Sequence, residues 1–184
     1  MSLADSIIAA AQSAGVDPKL ALEVAQRESR LQPYPPDGSS GEIGTFQILP
    51  ATGADLGYSV DQLRDPQQNV QAGVAYLRRL LGKYGDPAAA IAAYNWGPGH
   101  MDAALAQYGS AWFAHIPSST QGYVHEVLAN AQTQYAAALG PVAVPMSFVP
   151  PIAATPAADA GMSLWAQIAI AVGVIFGISL LLSE

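Results

Sequence analysis

Glu28 is the residue whose type and setting best suit acid–base chemistry. An Asp17-Pro18 pair opens a helix that sets Leu20, Val24 and Glu28 four residues apart on one face, so the carboxyl shares a side with apolar neighbours. Partial desolvation there raises a carboxyl pKa toward the range of a general acid. Spacing alone leaves a second reading open, a solvated glutamate at a helix end paired with Arg27 or Arg30. The three histidines, His100, His115 and His125, have neither i,i+4 spacing nor acidic companions at ligand spacing, so no metal site is expected. With no cysteine there is no thiol nucleophile and no disulfide framework, and the compartment stays open.

Four segments add to Glu28. Ala25-Gln26-Arg27-Glu28-Ser29-Arg30 is followed by Gly41-Glu42-Ile43-Gly44-Thr45-Phe46-Gln47-Ile48-Leu49-Pro50-Ala51-Thr52, then by Ala92-Ala93-Tyr94-Asn95-Trp96-Gly97-Pro98-Gly99, then by Tyr123-Val124. In this order they resemble the motifs of the soluble lytic transglycosylase family, related to goose-type lysozymes, over about residues 4–139. The resemblance implies a lysozyme-like, mainly α domain with minimal sheet, and peptidoglycan glycan strands as substrate. It makes Glu28 the catalytic acid and base, with Ser29 beside it. It places Gln47 in the cleft, Tyr94 and Asn95 at the cleavage point, and Tyr123 reaching back toward the acid. Thr45 and Phe46 stand where the family has Leu and Met, which changes the expected cleft wall. The stretch from Glu28 to Gln47 is long and carries Pro33, Pro35 and Pro36, so either Ser39 or Ser40 is available to bind the N-acetyl group.

Glycoside hydrolases usually employ two carboxyls, one as acid and one as nucleophile or base. The family resemblance implies one: the acid protonates the glycosidic oxygen, the substrate's N-acetyl group steadies the anomeric centre, and the carboxylate then takes the proton of the muramic-acid 6-hydroxyl. Intramolecular attack gives a 1,6-anhydro end without water or cofactor. The alternatives are a muramidase in which Asp37 or Glu42 holds a water, and a non-catalytic glycan-binding or structural protein of the same fold.

The elements that must position these residues are legible as helices. Asp-Pro pairs at Asp17-Pro18, Asp65-Pro66 and Asp86-Pro87 each combine an N-cap side chain with a proline whose missing N–H has no helical partner. After the second pair, Val70, Val74, Leu77 and Leu81 repeat at helical spacing, with Gly82 expected as the stop. Val124, Leu128, Ala131, Tyr135 and Leu139 form a last stripe, closed by Gly140-Pro141. Any strand is confined to the loop from Gln32 to Gln47. Trp96 and Trp112 read as core or cleft-wall residues, with sugar contact equally open for Trp96. Tyr34 reads as a loop-packing residue rather than a sugar platform, and Glu126 as a solvated helix residue.

The formal charge of −7 and the lack of clustered Lys and Arg disfavour phosphate binding, so no nucleic-acid partner is expected. The catalytic domain is assigned to residues 1–139. Residues 140–163, rich in Pro, Ala and Val, read as an extended linker. Residues 164–182 carry no charge and, at about 1.5 Å per residue, just cross a roughly 30 Å hydrocarbon core, so they read as a transmembrane helix that partners a lipid membrane. The N-terminus lacks the positive start of a signal peptide. A catalytic domain that must reach the wall, carried on a C-terminal anchor, fits a bacteriophage virion membrane first and a bacterial envelope second, with virion or envelope proteins as further partners.

Overall fold

The computed structural model describes residues 1–133; the linker and the transmembrane helix expected at 140–163 and 164–182 lie outside them, as do Tyr135 and Leu139 of the last stripe. Among the described residues eight α-helices follow in order: α1 (Leu3–Ala14), α2 (Pro18–Ser29), α3 (Pro50–Asp55), α4 (Val60–Arg64), α5 (Pro66–Tyr84), α6 (Pro87–Trp96), α7 (Pro98–Tyr108) and, after a 3-10 helix at Gly109–His115, α8 (Ser118–Thr133). The fold is mainly α. Among the described residues the β structure is one antiparallel bridge, Ile43 to Ile48. No described helix is long and apolar enough to cross a membrane.

All three Asp-Pro pairs start helices. Asp17, Asp65 and Asp86 each accept a backbone N–H of the first turn, and Pro18, Pro66 and Pro87 take the first helical position. Prolines open α3 and α7 in the same way, behind Leu49 and Gly97, which offer no side-chain cap. Gly82 does not stop α5. The helix runs on to Tyr84 and ends at Gly85, which adopts φ 66. Helical backbone suits any residue at position 82, whereas the left-handed cap at 85 favours one without a side chain.

The core is built around α6. Ala89, Ala90, Ile91, Ala92 and Ala93 are all buried, and the helix packs on α5, α7 and α8. A helix apolar on every side belongs in an interior, and its alanines let neighbours approach closely. α2 packs against α1 and α8, which brings the end of α2 to the same side of the core as the end of α6.

The loop between α2 and α3 is held by one side chain. Asn69 of α5 is fully buried. Its Oδ1 accepts Phe46 N–H at 2.8 Å, and its Nδ2 donates to the carbonyls of Ile43 at 2.8 Å and Leu63 at 2.9 Å. The loop can settle this close because two positions lack a Cβ: one at Gly44 would overlap the Asn69 amide, and one at Gly73 would overlap the buried Phe46 ring. Further along, Thr45 Oγ1 donates to Gln32 O at 2.9 Å, and Arg64 binds Asp37 through two hydrogen bonds of 3.0 and 2.7 Å.

Replacing Asn69 with Leu keeps the volume but strands the Phe46 N–H and two carbonyls in the interior. Each such orphan costs about 1–3 kcal/mol, so the variant is expected to lose about 3 kcal/mol or more of unfolding free energy. Chemical denaturation of the variant beside the parent measures this; a loss below about 1 kcal/mol would show that Asn69 does not hold the loop.

Candidate active site

The ends of α2, α6 and the 38–49 loop enclose a cleft of about 450 Å³, lined by Glu28, Glu42, Gln47, Tyr94, Asn95 and Trp96 among others. Glu28 is the penultimate residue of α2 and is half-buried. Its side chain is not the solvated partner of an arginine. Arg27 pairs instead with Glu126 of α8 at 2.9 Å, on an exposed face, and Arg30 forms the left-handed cap of α2. Glu28 Oε1 accepts a hydrogen bond of 2.5 Å from Tyr123 OH. Burial pushes the Glu28 pKa up to about 6; the Tyr123 hydroxyl works against that shift, the negative charge of Glu42 adds to it, and Arg27 opposes it. The negative end of the α2 dipole adds a further reason for Glu28 to hold its proton.

The two tyrosines are fixed from opposite sides. Tyr123 is buried on α8, and burial beside the Glu28 charge drives its hydroxyl pKa well up, which keeps it a donor. Tyr94, at the end of α6, donates to Phe46 O at 2.8 Å and packs on Tyr76 with ring centroids 5.1 Å apart. Its pKa is likewise raised by burial, then by Glu28. Tyr94 therefore reads the position of the loop that Asn69 holds, because the carbonyl it binds belongs to the residue whose N–H Asn69 accepts.

Gln47 lies at the far side of a tight turn, with its backbone N–H bound to Gly44 O at 2.9 Å and φ at 46. That left-handed conformation is uncommon for a residue with a side chain. The side chain supports it, since Nε2 donates to the same Gly44 carbonyl at 2.9 Å. The amide hydrogens are thus turned to the loop and Oε1 is left as an acceptor. Asn95 has the reverse polarity: Thr120 Oγ1 donates to Oδ1 at 3.0 Å, which leaves the Asn95 amide nitrogen as the donor available to a ligand.

Glu28, Gln47, Tyr94 and Asn95 thus share one cleft, with Tyr123 behind the acid. Ser29 does not join them: it is buried, and its hydroxyl donates to Ala25 O at 3.3 Å within its own helix. Ser39 lines the cleft, whereas Ser40 gives its backbone N–H to Glu42 Oε2 at 2.9 Å. Asp37 is engaged by Arg64 away from the cleft lining, and Glu42 is part of it. Trp96 lines the cleft with His100 stacked on it at 4.9 Å, while Trp112 belongs to the core. Tyr34, expected to pack in its loop, is 76% exposed. Thr120 and Asn69 carry no chemical signal of their own in the sequence; each is a small polar residue with a partner 23 or more residues away.

Known proteins share this sequence pattern and this helical fold. The pattern of the transglycosylase SLT domain family matches residues 5–116. A transglycosylase of Enterobacteria phage PRD1 is 32% identical over 148 residues, covering 80% of this chain and 49% of that protein. The soluble lytic murein transglycosylase of Escherichia coli K12 is 35% identical over 126 residues, covering 59% of this chain and 19% of that protein. Among solved structures, an inactive mutant of the lytic transglycosylase Slt from Pseudomonas aeruginosa superposes with a TM-score of 0.64 at 26% identity, over 73% of this chain and 24% of that one. The chain therefore spans about half of the phage relative and about a fifth to a quarter of the bacterial ones. With a match over most of the described residues, and with a helical fold shared with a solved member, the chain belongs to the transglycosylase SLT domain family.

Proposed function

We propose that this protein is a peptidoglycan lytic transglycosylase, with a kinship to goose-type lysozymes, that cleaves the β-1,4 bond after muramic acid and leaves a 1,6-anhydro end. The observation that carries this is Glu28, a carboxyl held in a cleft with its pKa raised to about 6 and steadied by Tyr123. A protonated carboxyl near neutral pH can donate to the glycosidic oxygen. Once it has done so, the Tyr123 hydroxyl stabilises the carboxylate by a charge-assisted hydrogen bond, and that carboxylate can accept the proton of the sugar's 6-hydroxyl. Asn95 donates and Gln47 accepts from the walls, the pairing needed to hold an N-acetylated sugar in one orientation.

Water is the competing nucleophile, and a hydrolase would need a second carboxyl to activate it. Asp37 is occupied by Arg64. Glu42 is the observation that favours the hydrolytic reading, since it lines the cleft. The 6-hydroxyl requires no such base, being tethered to the reacting ring at high effective concentration. Digestion of purified peptidoglycan in heavy-oxygen water separates the two by mass. Unlabelled anhydro ends are expected from the parent and almost none from Glu28→Gln, which keeps the Tyr123 hydrogen bond but has no proton to give. Labelled reducing ends as the main product, or a Glu28→Gln variant within a few-fold of the parent, would sink the assignment.

The pH dependence has a defined sign. Glu28 must be protonated in the free enzyme, so kcat/KM is expected to fall above about pH 6. Tyr123→Phe removes the hydrogen bond that lowers the Glu28 pKa, so the falling limb should move to higher pH. Stability follows the same group. Its folded pKa, about 6, lies above the ordinary 4.5, so the stabilisation is full below the lower value and is lost as pH rises through the higher one. At pH 8 Glu28→Gln should accordingly be the more stable protein, by about 2 kcal/mol. A falling limb that ignores Tyr123→Phe, or a variant no more stable at pH 8, would place the acid elsewhere.

The same proposal covers the rest of the chain: a catalytic domain at 1–139, a linker at 140–163 and a transmembrane helix at 164–182 that docks the enzyme in a phage virion membrane or, second, a bacterial envelope. The phage PRD1 relative and the uncharged run at 164–182 support it. Chain 1–139 is expected to be soluble and active, and the full chain to partition into detergent and to be found in purified virus particles. Full-length protein that stays in the aqueous phase would remove the anchor from this reading.

A further inference from the structure

Glu42 lines the same cleft as Glu28, and none of the ion pairs among the described residues involves it; those pairs use Glu126, Asp37 and Asp102. Its placement is built rather than incidental. Ser40 N–H donates to Glu42 Oε2 at 2.9 Å, Gly38 N–H donates to Glu42 O at 2.8 Å, and Gly41 N–H closes the turn onto Gly38 O at 3.0 Å. Gly38 leaves room for this: a Cβ there would run into both the Glu42 carboxylate and Gln47 Oε1. Loop 38–42 thus wraps around one carboxylate oxygen of a side chain that lines the cleft.

Two carboxyls facing one cavity without an intervening cation repel, which works against stability. Such an arrangement is useful if something positive enters between them. Cleavage of a glycosidic bond creates that charge, because the transition state resembles an oxocarbenium ion. A preoriented negative group in a partly dehydrated cleft stabilises developing positive charge without having to reorganise.

We propose that Glu42 is a second functional carboxylate of this site, locked by loop 38–42 so that its charge stabilises the cationic anomeric centre formed as Glu28 protonates the leaving oxygen. The inference rests on the reading of Glu28 as the acid. No bond forms to Glu42. The C1–O bond breaks, its electron pair stays with the oxygen and takes the Glu28 proton, and the 6-hydroxyl oxygen then bonds C1 while its proton passes to the Glu28 carboxylate. The groups that face Glu28 from its surroundings are Tyr123 from α8, Tyr94 from α6, Arg27 from α2 itself and Glu42 from the loop. Of these, Glu42 is the one whose charge both favours the protonated acid and complements the cation.

Glu42→Gln separates charge from shape, since the amide oxygen still accepts from Ser40 N–H. It is expected to lower kcat by about tenfold or more with KM within about threefold of the parent, and to move the falling pH limb to lower pH. Glu42→Asp, which retains the charge on a shorter arm, should recover part of kcat. A Glu42→Gln enzyme with kcat within about twofold of the parent would overturn the proposal. So would a loss of kcat with an unmoved pH limb and no recovery in Glu42→Asp, which assigns a structural role. Glu28→Gln assayed in parallel keeps the two claims apart: if it cleaves, the acid assignment fails whatever Glu42 does.

Discussion

The buried amide of Asn69 sets the position of nearly everything on the loop side of the cleft. Its three hydrogen bonds tie the backbone of Ile43 and Phe46 to α5 and to the end of α4. Loops ordinarily run over the surface, because buried backbone needs partners that a loop does not supply for itself. Here a side chain supplies them. The loop then sinks onto α5 far enough for Phe46 to be completely buried, and its carbonyl becomes the acceptor for Tyr94. Gln47 is carried into the cleft on the same turn.

The acid side depends on a different constraint, the narrowness of α6. A helix of small residues at the centre allows α8 to pack closely on it, and α8 also packs on α2, which brings Tyr123 to Glu28 across 95 residues of chain. The contact is both a hydrogen bond and a wall, since Tyr123 buries part of the carboxyl that it stabilises. Desolvation wins over the hydrogen bond, and the result is a carboxyl that holds its proton to a higher pH, about 6, than an ordinary glutamate. A carboxyl raised in this way lowers the stability of the folded state at high pH, a common trade at sites where function needs a perturbed group.

Charge is distributed in keeping with this. The paired carboxylates lie on exposed faces: Asp37 with Arg64, Glu126 with Arg27, Asp102 with Lys83. Exposed pairs of this kind contribute little to stability. The carboxyls that face the cleft, Glu28 and Glu42, are held by neutral donors, a tyrosine hydroxyl and a backbone N–H. Neutral donors orient a carboxyl without supplying a compensating positive charge.

Local order could be read directly from the sequence. Asp-Pro pairs announced three helices because capping involves neighbours within one turn, and the motif segments identified Glu28, Gln47, Tyr94, Asn95 and Tyr123 as a set. What lay beyond reach depended on distance in the chain. Gly82, expected as the stop of α5, lies inside the helix, and the left-handed cap falls at Gly85. Asp37 and Glu42 were equivalent as acidic loop residues until the fold gave Asp37 to Arg64 and turned Glu42 to the cleft. Ser29 neighbours the acid in sequence, yet the helical turn of about 100° per residue points it into the core. Residue types and short spacings thus determined the helices and the chemical groups, while tertiary packing decided which groups meet and which proton is held, because burial and hydrogen bonding between distant segments exist only once the core has closed.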